Sequence, residues 1–290
     1  MRKKINIAYC YKSGMGIEIA RIGAWLSALS QKYDLTLYSF HHFIYNSEVM
    51  RVCPLTELNH EKVVLEDADK GIAFYCMPRS SGPFRADGLD AAARQLGYLM
   101  ILEDEEGDAN VYRTSYKQIS DYGLKACSRV FLKTGKPHQK LILNLFGGAS
   151  PTKGFREGPI AARVAREIAD AFSKYEFIIP CLPHQKNVLS EVMISGVNNL
   201  ELRDFNYNEE NLTLLVSGSP GIITVEGGML HLGVAYAKPV CCLIEKDWMQ
   251  DVNSKLPLDH GVHYEIVELS NPDINNLLES LKQWMREQLF

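Results

Sequence analysis

A carboxylate and two glycines, Glu226-Gly227-Gly228, stand between a β-branched run (Ile222 to Val225) and an apolar stretch that holds one histidine, His231. Paired glycines let a backbone approach a ligand closely, and the first turn of a following helix offers N–H groups to an anion. Glycines in such a place also serve as packing devices, and on residue types alone the two readings weigh the same. A Lys238-Pro239 turn then leads into a second apolar run, Val240 to Ile244. Gly14 and Gly16 form another turn of this kind, although the third glycine of a dinucleotide fingerprint is not at its usual spacing. The acidic run Glu103-Asp104-Glu105-Glu106-Gly107-Asp108 could hold a divalent cation or supply a base, but charge runs are more often solvated turns. His260 and His263 flank Gly261, which favours a loop over a metal site, and no third ligand is evident.

The elements that must position these residues follow one grammar twice. A strand, Ile5 to Tyr11, ends in the Gly14/Gly16 turn and is followed by a helix with Ile19, Ile22, Trp25, Leu26 and Leu29 on its apolar face. Strands are expected at Leu35 to Phe40, Gly71 to Cys76 and Leu99 to Leu102, with a polar, irregular stretch after the first of these. Helices are expected at Leu89 to Leu96 and Tyr116 to Cys127, and a short strand at Val130 to Leu132. Thr134-Gly135-Lys136-Pro137-His138 has turn chemistry, and the pattern restarts after it. In this second half, strands are expected at Leu141 to Phe146, Phe177 to Leu182 and Leu200 to Leu202. Helices are expected from about Pro159 to Phe172, Gln185 to Ile194 and Glu209 to Ser217. The Ile222 to Ile244 unit comes next, and a terminal helix begins behind Ser270 and Asp273. Such alternation predicts an α/β protein of two Rossmann-like domains, 1–136 and 137–290, each with a parallel sheet covered on both faces. A ligand would lie in the cleft faced by the carboxyl ends of both sheets.

Composition narrows the function. With 290 residues and 46% hydrophobic content the chain can bury two cores, and a net charge of −4 gives no basic field for nucleic acid. The seven cysteines form no CxxC pair; Cys10, Cys76, Cys181, Cys241 and Cys242 lie in apolar runs and read as small buried hydrophobes of a reducing compartment. No run approaches the roughly 18 apolar residues of a membrane span. A cytoplasmic protein is expected, working at most beside the inner face of a membrane.

The stretch ITVEGGMLHLGVAYAKPVCCL resembles the V-D-S/T-G-L-x-H-L-A-A-x-x-x-K/R-P-V segment of glycosyltransferase family 9, the lipopolysaccharide heptosyltransferases. LNLFGGASPTKGF is similar to that family's strand, small-residue loop, lysine and aromatic, and YKSGMGIEIARI to its K-x-S-S-x-G-D-x-I opening. The resemblance covers roughly residues 140 to 245 well and is patchy before that. It implies a GT-B fold and an inverting, metal-independent transfer of a sugar, typically from ADP-heptose, to a hydroxyl of a glycan or lipid-linked glycan, without cofactor. By that resemblance Ser150, Thr152 and Lys153 would hold the donor diphosphate together with the helix opening at Gly227, Gly228 and Met229. His231 would donate to phosphate or sugar, Glu226 would bind donor hydroxyls, and Tyr207 would lie on the base-contacting loop. Their bland readings are a solvated lysine, a core histidine and a packing tyrosine.

At the catalytic base the sequence departs from the family, which has an aspartate directly after the loop glycine. Here Gly16 is followed by Ile17 and then Glu18. Glu18 is the expected base, with Gly14 and Gly16 as the acceptor-side loop. Asp104 or Glu106 could take the role instead, or the chain could bind a nucleotide sugar without catalysis. A related nucleotide-sugar epimerase or hydrolase is a third reading. The chain is compact for the family in its N-terminal, acceptor-binding half, so the acceptor is left open.

Overall fold

The computed structural model describes residues 2–12, 14–56, 58–75, 84–102, 129–131, 136–147, 154–182, 185, 188–205, 210–249 and 261–289. They form two compact units, Met1–Lys133 and Thr134–Phe290.

In the first unit, β1 (Lys4–Tyr9), β3 (Asp34–Ser39), β4 (Arg51–Pro54), β5 (Lys70–Tyr75) and β7 (Leu99–Leu102) make a parallel sheet in the order β4-β3-β1-β5-β7. Ile7 of β1 lies beside Leu37 of β3 and Ile72 of β5. Successive side chains of a strand point to opposite faces, and β1 is buried on both. Helix α1 (Met15–Ser30) covers one face, where its Trp25 meets Phe74 edge-on at 6.3 Å and Phe74 in turn meets Tyr9. On the other face Ala8, Cys10, Tyr38, Ala73 and Tyr98 pack with Leu89 and Ala93 of helix α2 (Asp87–Gln95). A polar residue in this strand needs partners, and Asn6 has them: its Nδ2 donates to the Glu66 carbonyl at 2.6 Å and to Tyr98 Oη at 2.8 Å.

The second unit is a six-stranded parallel sheet in the order β10-β9-β8-β11-β12-β13. Its strands are β8 (Lys140–Asn144), β9 (Glu176–Cys181), β10 (Leu200–Asp204), β11 (Ile222–Val225), β12 (Val240–Ile244) and β13 (Val262–Ile266). Leu141, Leu143, Phe177, Ile179, Ile223, Val225, Cys241 and Leu243 form a core with helix α3 (Gly158–Ala171) and helix α6 (Ile274–Gln288). Helix α4 (Glu210–Gly218) packs on α5 (Gly228–Ala235), which lies on β11 and β12. Asp273 caps α6 by accepting from the Asn276 N–H at 3.2 Å, as its place before the apolar run predicts.

The differences from the sequence reading have local causes. The first strand ends at Tyr9; Tyr11–Lys12 (β2) pairs antiparallel with Phe84–Arg85 (β6) instead. The stretch read as irregular holds β4, and the stretch read as a loop around His263 is β13. Both are sheet-edge strands with partly exposed side chains, so neither shows a buried-strand run. Within the stretch expected as a helix over Gln185 to Ile194, the described residues place a 3-10 turn at Glu191–Ile194, and Ser190 before it is extended (φ −121°, ψ 161°). Val130 to Leu132 yields a single bridge, Phe131 to Tyr45. The helix expected at Tyr116 to Cys127 and the acidic run from Glu103 lie outside the described residues. No helix among the described residues is long and apolar enough to cross a membrane.

Gly71 of β5 provides a test of this packing. A Cβ there would lie 2.1 Å from Tyr98 Cδ1, with two further ring atoms at 2.3 Å. Relief requires moving the ring that accepts from Asn6. Gly71→Ala is therefore expected to lower the stability of the first unit by about 1–3 kcal/mol, the usual cost of overpacking, read from urea unfolding curves.

Candidate functional site

In an open parallel sheet, ligands bind outside the carboxyl ends of the strands at the point where the strand order reverses. In the second unit that point lies between β8 and β11, and the two glycine-rich segments leave these two strands. After β11 the chain passes Glu226 and Gly227 into α5. Gly227 has φ 152° and ψ −164°, a conformation that side-chain-bearing residues rarely adopt, so this position requires glycine. Gly227 and Gly228 are partly exposed, whereas Glu226, Met229 and His231 are buried at 5%, 6% and 2% exposure. Backbone is thus what this turn presents to a ligand. Leu230 N–H turns back to the Gly227 carbonyl at 3.1 Å, while the Gly228 and Met229 N–H groups at the helix start have no acceptor within the helix, and the helix dipole favours an anion there.

The buried side chains of the block act on one another. Burial, and after it the Glu226 carboxylate, raises the Cys242 thiol; burial, then Cys242, then Glu226 raise the Tyr264 phenol. Both stay protonated at neutral pH. Burial likewise raises the thiols of Cys10 and Cys241, so these cysteines pack as small apolar groups and are poor nucleophiles or ligands.

On the other side of the reversal point, Phe155 N–H donates to the Leu145 carbonyl at 3.0 Å, and a Cβ on Gly154 would lie 2.5 Å from Gly147 N. The two ends of the segment that carries Ser150, Thr152 and Lys153 are therefore held together directly behind β8. Those three residues, and Tyr207, lie outside the described residues.

In the first unit the order reverses between β1 and β5, and β1 leads through Gly14 into α1. Gly14 caps the helix with ordinary extended angles (φ −65°, ψ 142°), and Gly16 is buried inside the first helical turn. Glu18 is also in that turn, and its side chain has 0% exposure. Its Oε1 accepts from Ser39 Oγ at 2.5 Å and from Tyr45 Oη at 2.8 Å; its Oε2 lies 2.7 Å from His41 Nδ1. Ser39 Oγ also accepts from the His41 backbone N–H at 2.9 Å. Tyr45 stacks on Phe131 with centroids 5.7 Å apart. Burial, and then the neighbouring Glu18 charge, raise the Tyr45 phenol well above its ordinary value, which keeps it a donor.

Glu18, expected from the sequence as the base, therefore has its side chain in the protein interior. Sequence reasoning missed Ser39, His41 and Tyr45. The signal was present in LYSFHHFIY, a run of hydroxyls and imidazoles directly behind a strand. His263, the one described member of the histidine pair, is in β13 with Nε2 3.2 Å from Ser280 Oγ, and among the described residues no group of three or more His, Cys, Asp or Glu could hold a metal ion.

No protein-family model and no curated protein matches the sequence. Solved structures do match along the whole length. The chain is similar to the E. coli heptosyltransferase WaaC with ADP, at 13% identity and TM-score 0.58 over 98% of this chain and 97% of that one. It is similar to a glycosyl transferase family 9 protein of Veillonella parvula, at 14% identity and TM-score 0.59 over 98% of each. It is also similar to a Listeria monocytogenes protein provisionally assigned as a UDP-N-acetylglucosamine 2-epimerase, at 10% identity and TM-score 0.54 over 99% and 88%. Identities this low carry the fold, and that fold is GT-B: two Rossmann-like units with parallel sheets of five and six strands.

Removing the Glu18 carboxylate leaves two hydroxyls and an imidazole in the interior without their shared acceptor. Glu18→Ala is expected to destabilise the protein by about 3–5 kcal/mol, since three donors lose their acceptor at about 1–3 kcal/mol for each that stays buried and unsatisfied. Chemical denaturation checks this, and a loss under about 1 kcal/mol would show that the cluster is not holding α1 to the end of β3.

Proposed function

We propose that the protein is an inverting, metal-independent glycosyltransferase that takes a sugar from a nucleotide donor, ADP-heptose, and delivers it to a hydroxyl of a glycan or lipid-linked glycan. The setting is lipopolysaccharide or surface-glycan synthesis at the cytoplasmic face of the membrane. The observation that carries this reading is the glycine-only turn at Gly227, opening α5 beside the pinched loop behind β8 at the reversal point of the sheet. A helix start with backbone donors at the reversal point suits a diphosphate, and a leaving diphosphate is where negative charge grows in the transition state.

In this reading the Gly228 and Met229 N–H groups and the α5 dipole stabilise the departing diphosphate, and Lys153 with Ser150 and Thr152 neutralises it. Glu226 and His231, being buried, set the shape and charge behind the turn, so any contact they make with the donor needs a side-chain movement. Tyr207 flanks the base. The N-terminal unit binds the acceptor and the C-terminal unit the donor. The fold shared with WaaC, whose structure holds ADP, supports an adenosine diphosphate donor.

A second reading has its own support. Glu18 is buried, and the fold is shared with the Listeria protein assigned as an epimerase. A nucleotide-sugar epimerase, or a protein that binds the donor without turnover, would fit both observations.

Thermal unfolding in the presence of ADP-heptose and of UDP-N-acetylglucosamine separates these readings at the donor. At a ligand concentration of about 100 Kd the linkage stabilises by about 2.7 kcal/mol, which is several degrees of Tm. ADP-heptose is expected to produce that shift, and Lys153→Ala and Gly227→Ala to abolish most of it. EDTA should leave it unchanged. A shift with the UDP sugar alone, accompanied by its conversion without acceptor, would replace transfer by epimerisation.

A further inference from the structure

We propose that His41 is the catalytic base, acting through Nε2, and that Glu18 is a positioning residue that holds the imidazole. The inference rests on the glycosyl-transfer reading and moves the base from Glu18 to a residue 23 positions further along the chain.

The chemistry of the donor set fixes the direction of each bond. An ionised carboxylate only accepts hydrogen bonds. Glu18 Oε1 is filled by two hydroxyls, from Ser39 and Tyr45, which leaves Oε2 to His41 Nδ1 at 2.7 Å. Nδ1 therefore carries the proton in the neutral ring, and the lone pair is on Nε2. Among the described residues Nε2 has no hydrogen-bond partner within range, and the His41 side chain keeps 10% of its surface exposed while Glu18 keeps none. The ring cannot easily turn. Ser39 Oγ holds the His41 backbone N–H at 2.9 Å and the same carboxylate at 2.5 Å, so one hydroxyl fixes both partners. His41 follows β3, the strand beside β1, and so belongs to the carboxyl edge of the sheet, one strand away from the β1/β5 reversal point.

A buried carboxylate on one imidazole nitrogen, with the other nitrogen left toward solvent, is an arrangement that takes up a proton and stabilises the resulting imidazolium. In the step, Nε2 removes the proton from the acceptor hydroxyl as its oxygen bonds to the anomeric carbon. The bond from that carbon to the donor phosphate breaks, and the nucleoside diphosphate leaves with the electron pair. The proton on Nε2 then passes to water, and no oxidant, reductant or metal takes part. Glu18 keeps its three hydrogen bonds throughout.

Two measurements on the full chain test this. The first is side-chain nitrogen NMR of protein labelled in histidine: wild-type His41 is expected as the Nδ1–H tautomer, and Glu18→Gln is expected to disturb it. An Nε2–H tautomer in the wild-type protein would overturn the proposal. The second is transfer from ADP-heptose to heptose-free lipopolysaccharide core. His41→Ala should lower kcat about 100-fold or more, the usual contribution of a positioned base. It should leave KM for ADP-heptose within about twofold, as expected for a group that acts on the acceptor proton alone. Added imidazole should restore part of kcat in His41→Ala but not in Glu18→Gln, where the ring is present and misdirected. A purely structural His41 predicts no imidazole rescue, and wild-type kcat in a folded His41→Ala would also overturn the assignment. Wild-type protein that binds ADP-heptose, judged by thermal shift, yet transfers nothing would remove the base role and leave the donor site standing. Protein that neither binds nor transfers would remove the glycosyl-transfer reading and the base role with it.

Discussion

A carboxylate with no exposed surface constrains the first unit more than any apolar contact in it. Taking a charge out of water costs several kcal/mol, recovered only by well-placed donors. Glu18 draws its donors from the end of β3 and from Tyr45, and Tyr45 in turn stacks on Phe131, whose strand-like bridge returns to it. Helix α1, the end of β3 and the segment around Phe131 are thereby tied to one atom pair. Hydrophobic burial would tolerate small sliding of α1 over the sheet, but three directional bonds to one group do not.

The Glu226 to His231 block shows the opposite arrangement. Its side chains are largely withdrawn, and what it offers is main chain, shaped by one glycine at a φ no other residue adopts easily. This explains how much could be read from the amino-acid sequence. A turn of this kind shows in the sequence as glycine behind a β-branched run, because the φ at Gly227 admits little else. The Glu18–His41 pair has no such signature. Its members are 23 residues apart, and only the parallel pairing of β1 with β3 brings α1 and the segment behind β3 to one edge.

The same division runs through the fold. Central strands such as β1, β8, β11 and β12 are buried on both faces and were legible as apolar runs. The edge strands β4 (RVCP) and β13 (VHYEI) were not, since polar residues interrupt them, whereas the edge strands β7 and β10 still show their leucines. The break at Ser190, inside the stretch read as one helix, has a different cause. The apolar spacing of that stretch fits a helix, but the extended backbone at Ser190 breaks the repeat, and residue pattern does not encode that angle.

The pinch behind β8 has one more consequence. Because the Leu145 carbonyl and the Phe155 N–H already close the loop at its base, the entropy of bringing its ends together is met by the sheet and not by the residues in between. The segment from Gly148 to Lys153 is in this sense an insert in a fixed socket. Its length and chemistry can change while strand register and core stay as they are, so variation in this loop is separable from the folding of the sheet that carries it.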